Sequence, residues 1–174
     1  MYFVIQVVSR TENEMMKTIK EYVPKPFIKD IFVPLRKRMK KIDSKWIEYE
    51  ERCFPGYIFV ETDYPKELNA ELRKIEKFSI LVGFGKGASR YFMPLSEDEE
   101  KMINRLIGKN NVIDLSRITI EEGKVVKIID GPLMGFEGTI IKYNLHKRVA
   151  MVEIDFAGNK SKIQLGIDII EEKK

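Results

Sequence analysis

Residues 36–41 read Arg-Lys-Arg-Met-Lys-Lys, five cationic side chains in six positions with no acid among them. Groups of this kind neutralise phosphates, and each contact with a nucleic-acid backbone adds a salt-dependent increment of affinity. The same run also suits a solvated hairpin tip, the ordinary setting of a charge cluster. Further along, Lys142, His146, Lys147 and Arg148 form a second basic group, and Lys160 and Lys162 a third. The acids of that half gather in Glu121-Glu122 and Glu171-Glu172, so the stretch between them is basic. Placement therefore says more than the total, in which 31 Lys+Arg against 27 Asp+Glu leave +4 at pH 7.

Other chemistries lack their parts. One cysteine gives no internal disulfide, and one histidine gives no His/Cys metal cluster. No nucleophile stands beside a base, and Gly83-x-Gly85-x-Gly87 lacks the spacing of a phosphate-cradling GxGxxG loop. Glu48, Glu50 and Glu51 have no partner histidine and read as one strand of an exposed hairpin. Cys53 reads as a buried apolar residue rather than a reactive thiol. The expectation is a non-enzyme with no cofactor and no metal. No apolar stretch approaches the roughly 18 residues of a membrane span. Met1 to Gln6 lack the basic start of a secretory signal, so a cytoplasmic protein with no membrane partner is expected.

The elements that position these cations are legible from periodicity. A chain of 174 residues, 44% hydrophobic and 33% charged, makes one domain of ordinary size or two small ones. Tyr2 to Val8 suits a strand buried on both faces. Thr11 to Glu14 suggests a capping box before a helix carrying Met15, Met16, Ile19, Tyr22 and Val23, ended by Pro24 and Pro26. Ile31 to Leu35 and Trp46 to Glu50 read as strands flanking a hairpin tip at 36–45. Tyr57 to Val60 continues as a strand, and Asp63 is placed to cap a helix with Leu68, Leu72 and Ile75. Ile80 to Phe84 is strand-like, and Ser96 to Glu99 form a second capping box before Met102, Ile103, Leu106 and Ile107. Beyond Gly108 the helical signal stops. Val125–Asp130, Gly138–Tyr143, Val149–Phe156 and Ser161–Leu165 predict four short strands and a small all-β barrel. The fold class is α+β, with an N-terminal part at 1–107, a linker at 108–118 and a C-terminal part at 119–174.

The run from Gly123 to Ile140 joins a strand, the turn Asp130-Gly131-Pro132, spaced glycines and a second strand. It resembles the KOW motif of ribosomal proteins and transcription elongation factors. Tyr2-Phe3-Val4-Ile5-Gln6 before a helix, Phe54-Pro55-Gly56-Tyr57-Ile58-Phe59-Val60, and Pro94-Leu95-Ser96 opening a helix are similar to the NGN domain of the NusG family. NGN, linker and KOW in that order cover essentially the whole chain. Ser9-Arg10-Thr11-Glu12 departs from the Ser-Gly-x-Glu usual in housekeeping members. The spacing of Phe54 to Gly85 looks closer to RfaH, and the basic hairpin, the Phe84-Gly85 turn and the lysine-bearing KOW part look most like the specialised LoaP antiterminators. The threonine-rich gate-loop contact of RfaH has no counterpart at Leu68-Asn69-Ala70-Glu71.

The resemblance implies a monomeric regulator that binds RNA polymerase and promotes processive antitermination. Phe3, Val4, Phe54, Pro55, Tyr57, Phe59 and Phe84 would grip the clamp helices of the largest polymerase subunit, the alternative for each being core. Strand alternation puts Tyr57 and Phe59 on one face, and Ile58 and Val60 on the other. Arg36, Lys37, Arg38, Lys40 and Lys41 would meet upstream or non-template DNA. Lys142, His146, Lys147, Arg148, Lys160 and Lys162 would bind a hairpin of the nascent leader RNA, with a solvated basic rim as the alternative. Phe156 falls where the family presents an aromatic to ribosomal protein S10 or to Rho, and its alternation with Ile154 also allows a core position. A housekeeping NusG docking S10 or Rho, and a ribosome-associated KOW protein, are competing readings. Refolding of the KOW part into helices is disfavoured by Gly131, Gly135, Gly138 and Gly158.

Overall fold

The computed structural model describes residues 1–84 and 90–173. Lys86 and the glycines at 85 and 87 lie outside the described residues. In chain order the elements are β1 (Tyr2–Val7), α1 (Glu12–Tyr22), β2 (Asp30–Phe32), β3 (Leu35–Ile42), β4 (Lys45–Arg52) and β5 (Tyr57–Glu61). They continue with α2 (Pro65–Leu72), β6 (Ser79–Leu81), β7 (Gly83–Phe84), β8 (Tyr91–Phe92) and α3 (Glu97–Leu106). The remainder is β9 (Val112–Ile113), β10 (Ser116–Glu121), β11 (Val125–Asp130), β12 (Ile140–Asn144), β13 (Val149–Phe156) and β14 (Asn159–Glu172). The fold class is α+β, as expected.

Two compact units result, one of Met1–Pro34 with Phe54–Lys101, the other of Leu35–Cys53 with Met102–Lys174. The β3–β4 segment thus belongs with the C-terminal strands, which a division at 107 and 119 does not anticipate. Nor are residues 108–118 merely connecting chain, because β9 pairs in parallel with β3, and β10 begins at Ser116.

In the N-terminal unit an antiparallel sheet runs in the order β2-β5-β1-β6. Ile58, Phe59 and Val60 in β5 are all 0% exposed, so both faces of this strand are covered. Phe59 stacks on Phe32 at 5.6 Å between ring centroids and lies 5.4 Å from Phe54. Met15 and Ile19 of α1 and Leu68 and Leu72 of α2 complete the buried set.

The second capping box forms as expected: the Ser96 N–H donates to Glu99 Oε2 at 2.7 Å, and the Glu99 N–H to Ser96 Oγ at 3.2 Å. The first does not. The Thr11 hydroxyl donates backward to the Val8 carbonyl, and Glu14 pairs with Lys77. Glu12 is instead the buried acid, its Oε1 accepting the Gly56 N–H at 2.7 Å. Asp63 does not cap α2 either, since it pairs with Lys29 at 2.6 Å and α2 opens on Pro65. Tyr22 points outward from α1, 72% exposed.

In the C-terminal unit β3 and β4 form an antiparallel hairpin from Leu35↔Arg52 to Ile42↔Lys45. Its two-residue turn, Asp43-Ser44, has φ of 47° and 64°, the left-handed pair that a type I′ turn requires. Its tip is therefore far narrower than 36–45, and residues 36–42 are strand. The other sheet runs β11-β10-β14-β13-β12, with β10 parallel to β14 and the other pairs antiparallel. Strand β10 escapes a reading by alternation, because Ile118, Thr119 and Ile120 are buried in succession. Gly131, at φ +100°, is fixed by space: a Cβ there would lie 2.6 Å from the Ser116 Cα. Ser116 Oγ accepts the Leu133 N–H at 2.9 Å and seats Leu133 at 0% exposure.

Phe59→Ala leaves a cavity where three rings meet, and large-to-small aromatic changes of this kind cost about 3–5 kcal/mol. Denaturant unfolding of the purified variant is expected to show a loss in that range.

Candidate nucleic-acid and partner interfaces

The structure sorts the apolar candidates into two groups. Phe3, Val4, Phe54 and Phe59 are core, at 5% exposure or less, and present no surface to a partner. Pro55 is exposed and Tyr57 half-buried. Phe84 is 63% exposed, and its cross-strand neighbour in the β7–β8 pair is Tyr91, 76% exposed. Tyr91 is missed by reading the sequence for strand alternation alone. Its signal is the dipeptide Tyr91-Phe92, in which Phe92 is half-buried with Arg90 over its ring at 5.6 Å, leaving Tyr91 outward. For Phe156, as for Phe59, the core alternative holds and the partner-facing one does not. At 6% exposure it lies in the core of the C-terminal unit.

The basic run is divided by the hairpin's pleat. Arg36 and Arg38 share one face of β3 with Glu51 of β4, and both guanidinium groups reach Glu51 Oε1, at 2.9 Å and 2.8 Å. Arg36 Nη1 also donates to the Gln164 carbonyl of β14 at 2.8 Å, and Arg38 Nη1 to Gln164 Oε1 at 3.3 Å. Lys37, on the other face, lies between Glu48 at 3.1 Å and Asp114 at 3.2 Å. Hydrogen bonds to these two carboxylates, Glu48 foremost, raise its pKa. Arg36, Lys37 and Arg38 are therefore half-buried ion-pair partners rather than free phosphate ligands. Lys40 and Lys41 remain exposed, Lys40 resting 5.0 Å from the centre of the Tyr49 ring.

The close approach of β14 to β3 depends on Gly166, where a Cβ would collide with the Lys37 carbonyl oxygen. At the hairpin's far end, Arg148 lies over Trp46, its guanidinium carbon 4.2 Å from the ring centre. Its Nη1 donates to Asp168 Oδ1 at 2.8 Å. Arg148 is thus a spacer between elements and not an open RNA ligand. Lys142, His146, Lys147 and Lys162 are exposed, as is Lys160, which pairs with Asp155 at 3.3 Å. The loop after β11 is clamped by Arg105 of α3, which donates to the Met134 carbonyl at 2.9 Å and covers Phe136 at 4.5 Å.

Burial pushes the Cys53 thiol up to about 12, against a smaller lowering by Arg36, so this cysteine stays protonated and unreactive. Among the described residues no group of His, Cys, Asp and Glu is arranged to hold a metal ion, and no helix is long and apolar enough to cross a membrane.

The first unit presents exposed aromatics and the second exposed lysines. The comparisons with known proteins give the family. The family model described as "Transcription termination factor nusG" matches residues 1–107, and the KOW motif matches residues 122–155. The chain belongs to the NusG family. It is similar to the transcription termination/antitermination protein NusG of Borreliella burgdorferi, 26% identical, across 98% of this chain and 97% of that one. The NusG of Helicobacter pylori gives the same figures, and that of Pasteurella multocida is 24% identical over 98% and 94%. A solved structure described as "Domain interaction in Thermotoga maritima NusG" shares the fold, with a TM-score of 0.53, 21% identity, and coverage of 95% and 92%. The sequence-based preference for a specialised LoaP or RfaH type finds no support among these relatives, which carry the general factor's name.

Two predictions follow from the geometry. Gly166→Val drives β3 from β14, so the Trp46 emission shifts to longer wavelength as the indole loses its cover, and stability falls by about 1–3 kcal/mol. The second concerns pH. Its hydrogen bond to Arg117 holds the Asp130 carboxyl below its ordinary value. A carboxyl depressed on folding contributes stability above its unfolded pKa, lost as pH falls through the folded one. Asp130→Asn therefore lowers stability at pH 7 and flattens the decline below about pH 4, as read by urea unfolding across that range.

Proposed function

We propose that this protein is a non-enzymatic regulator that rides on the transcribing RNA polymerase and favours processive antitermination. Its N-terminal unit docks on the clamp helices of the largest subunit, and its C-terminal unit contacts a structured nascent RNA. The observation that carries the docking half is the exposed Phe84–Tyr91 pair. Large aromatics outward on a short two-stranded ribbon fit a partner surface better than solvent, and aromatic anchors dominate binding energy where they are buried by a partner. Tyr57, half-buried, and Pro55, exposed, are the other members of the apolar set with surface to offer, whereas Phe3, Val4, Phe54 and Phe59 are core. By binding one clamp state better than the other, the factor shifts polymerase toward that state without chemistry of its own.

The RNA half is supported by the exposed lysines at 142, 147 and 162. A second reading is a general NusG, which the names of the relatives favour, with a C-terminal unit that docks S10 or Rho. Burial of Phe156 weighs against docking through that residue.

Phe84→Ala combined with Tyr91→Ala is expected to weaken binding to purified core polymerase at least tenfold, with an unchanged unfolding midpoint. Wild-type affinity in that variant contradicts the docking surface. Retention of S10 or Rho by the full chain, with no saturable binding of structured RNA, selects the second reading.

A further inference from the structure

The sequence separates two basic regions by about a hundred residues, but the C-terminal unit brings them to one end. Lys41 pairs across the hairpin with Trp46, so their side chains share a face, and Ile42 pairs with Lys45 beside the Asp43-Ser44 turn. Trp46 carries the Arg148 guanidinium at 4.2 Å, and Asp168 holds that guanidinium from the other element at 2.8 Å. Arg148 ends the loop that follows β12, immediately after His146 and Lys147, and Asn144 Oδ1 folds this loop by accepting the Lys147 N–H at 3.0 Å. The hairpin tip and the 144–148 loop are thereby neighbours. Lys41, His146 and Lys147 are exposed on the Trp46 side, Lys40 and Lys45 are exposed on the opposite face of the hairpin tip, and Asp43 is the acid at the turn itself.

We propose that these two segments form one composite site for the phosphate backbone of base-paired RNA, with Arg148 as the positioning residue that fixes the spacing of its halves. This rests on the reading that the C-terminal unit contacts structured RNA, and it assigns the hairpin lysines to that same ligand rather than to DNA. The preference for a duplex comes from the aromatics. Binders of single strands offer open rings on which bases stack. Here both rings are half-buried, and each carries a cation, Arg148 over Trp46 and Lys40 over Tyr49. What is left outward among the described residues there is the lysines, with Ile42 and Ile47 beside them and no open aromatic ring; the lysines suit the regular phosphates of a stem.

The test uses the full chain and a labelled RNA hairpin with a stem of about 16 base pairs, beside a DNA duplex of the same sequence. Affinity is measured by anisotropy over a range of salt. Two variants are compared with the wild type: Lys40→Ala/Lys41→Ala/Lys45→Ala, and Lys147→Ala. The composite site predicts that both weaken binding of the same RNA, the triple variant by about tenfold or more, and that each lowers the salt slope by about 0.9 per lost phosphate contact. It also predicts that emission from Trp46, the only tryptophan, changes along the same titration curve. An unchanged affinity and slope in the triple variant, with a loss in Lys147→Ala, overturns the composite site and leaves the C-terminal RNA reading standing. No saturable RNA binding by the wild type overturns both. Equal or tighter binding of the DNA duplex overturns the assignment to RNA.

Discussion

The C-terminal unit depends on one guanidinium. Arg148 lies between the Trp46 indole and the Asp168 carboxylate, and so ties a hairpin formed early in the chain to a loop and a strand formed late. Neither contact is strong alone; a cation over an aromatic ring contributes roughly 0.5–2 kcal/mol depending on its desolvation. Their effect lies in geometry, because one side chain held by an indole of the hairpin and a carboxylate of β14 restrains the loop that carries it. Gly166 and the Arg36 and Arg38 bonds to Gln164 secure the middle of the same hairpin. The result is a surface whose inner cations are spent on carboxylates and whose outer cations, Lys40 and Lys41, are exposed.

That division changes how the basic run is understood. Five cations in six residues look equivalent along the chain, yet the pleat of β3 sends Arg36 and Arg38 to Glu51 and sends Lys37 to Glu48 and Asp114. The ion-paired cations order the hairpin, and Lys40 and Lys41 are left for a ligand. In the N-terminal unit the same economy appears with aromatics: Phe32, Phe54 and Phe59 hold the sheet, while Phe84 and Tyr91 face outward. Structural and binding roles are thus split within one residue type by position.

What the sequence revealed follows from the range of each interaction. The Ser96–Glu99 box, the β-rich C-terminal part, the hairpin and the turn at Gly131 all rest on neighbours a few residues apart, and all were legible. The Thr11–Glu14 box was not, because the Thr11 hydroxyl found the Val8 carbonyl and Glu14 found Lys77, 63 residues away. For Phe59 and Phe156 alternation leaves core and partner face both open, since it does not reveal that a strand is covered on both sides; both are core. The pairing of Arg148 with Trp46 and Asp168 was illegible for the same reason, and with it the union of two basic segments. Local rules find the elements, whereas a candidate site built from distant segments needs the packed chain.

The most direct measurement is a nuclear Overhauser spectrum of the full-length protein, in which the single Trp46 gives an unambiguous indole. Cross-peaks from its ring protons to the Arg148 side chain, with the Arg148 methylenes shifted upfield by the ring current, are the predicted result. Trp46 signals without Arg148 cross-peaks, together with unshifted Arg148 methylenes, would contradict the anchoring of the hairpin and the account of the surface built on it.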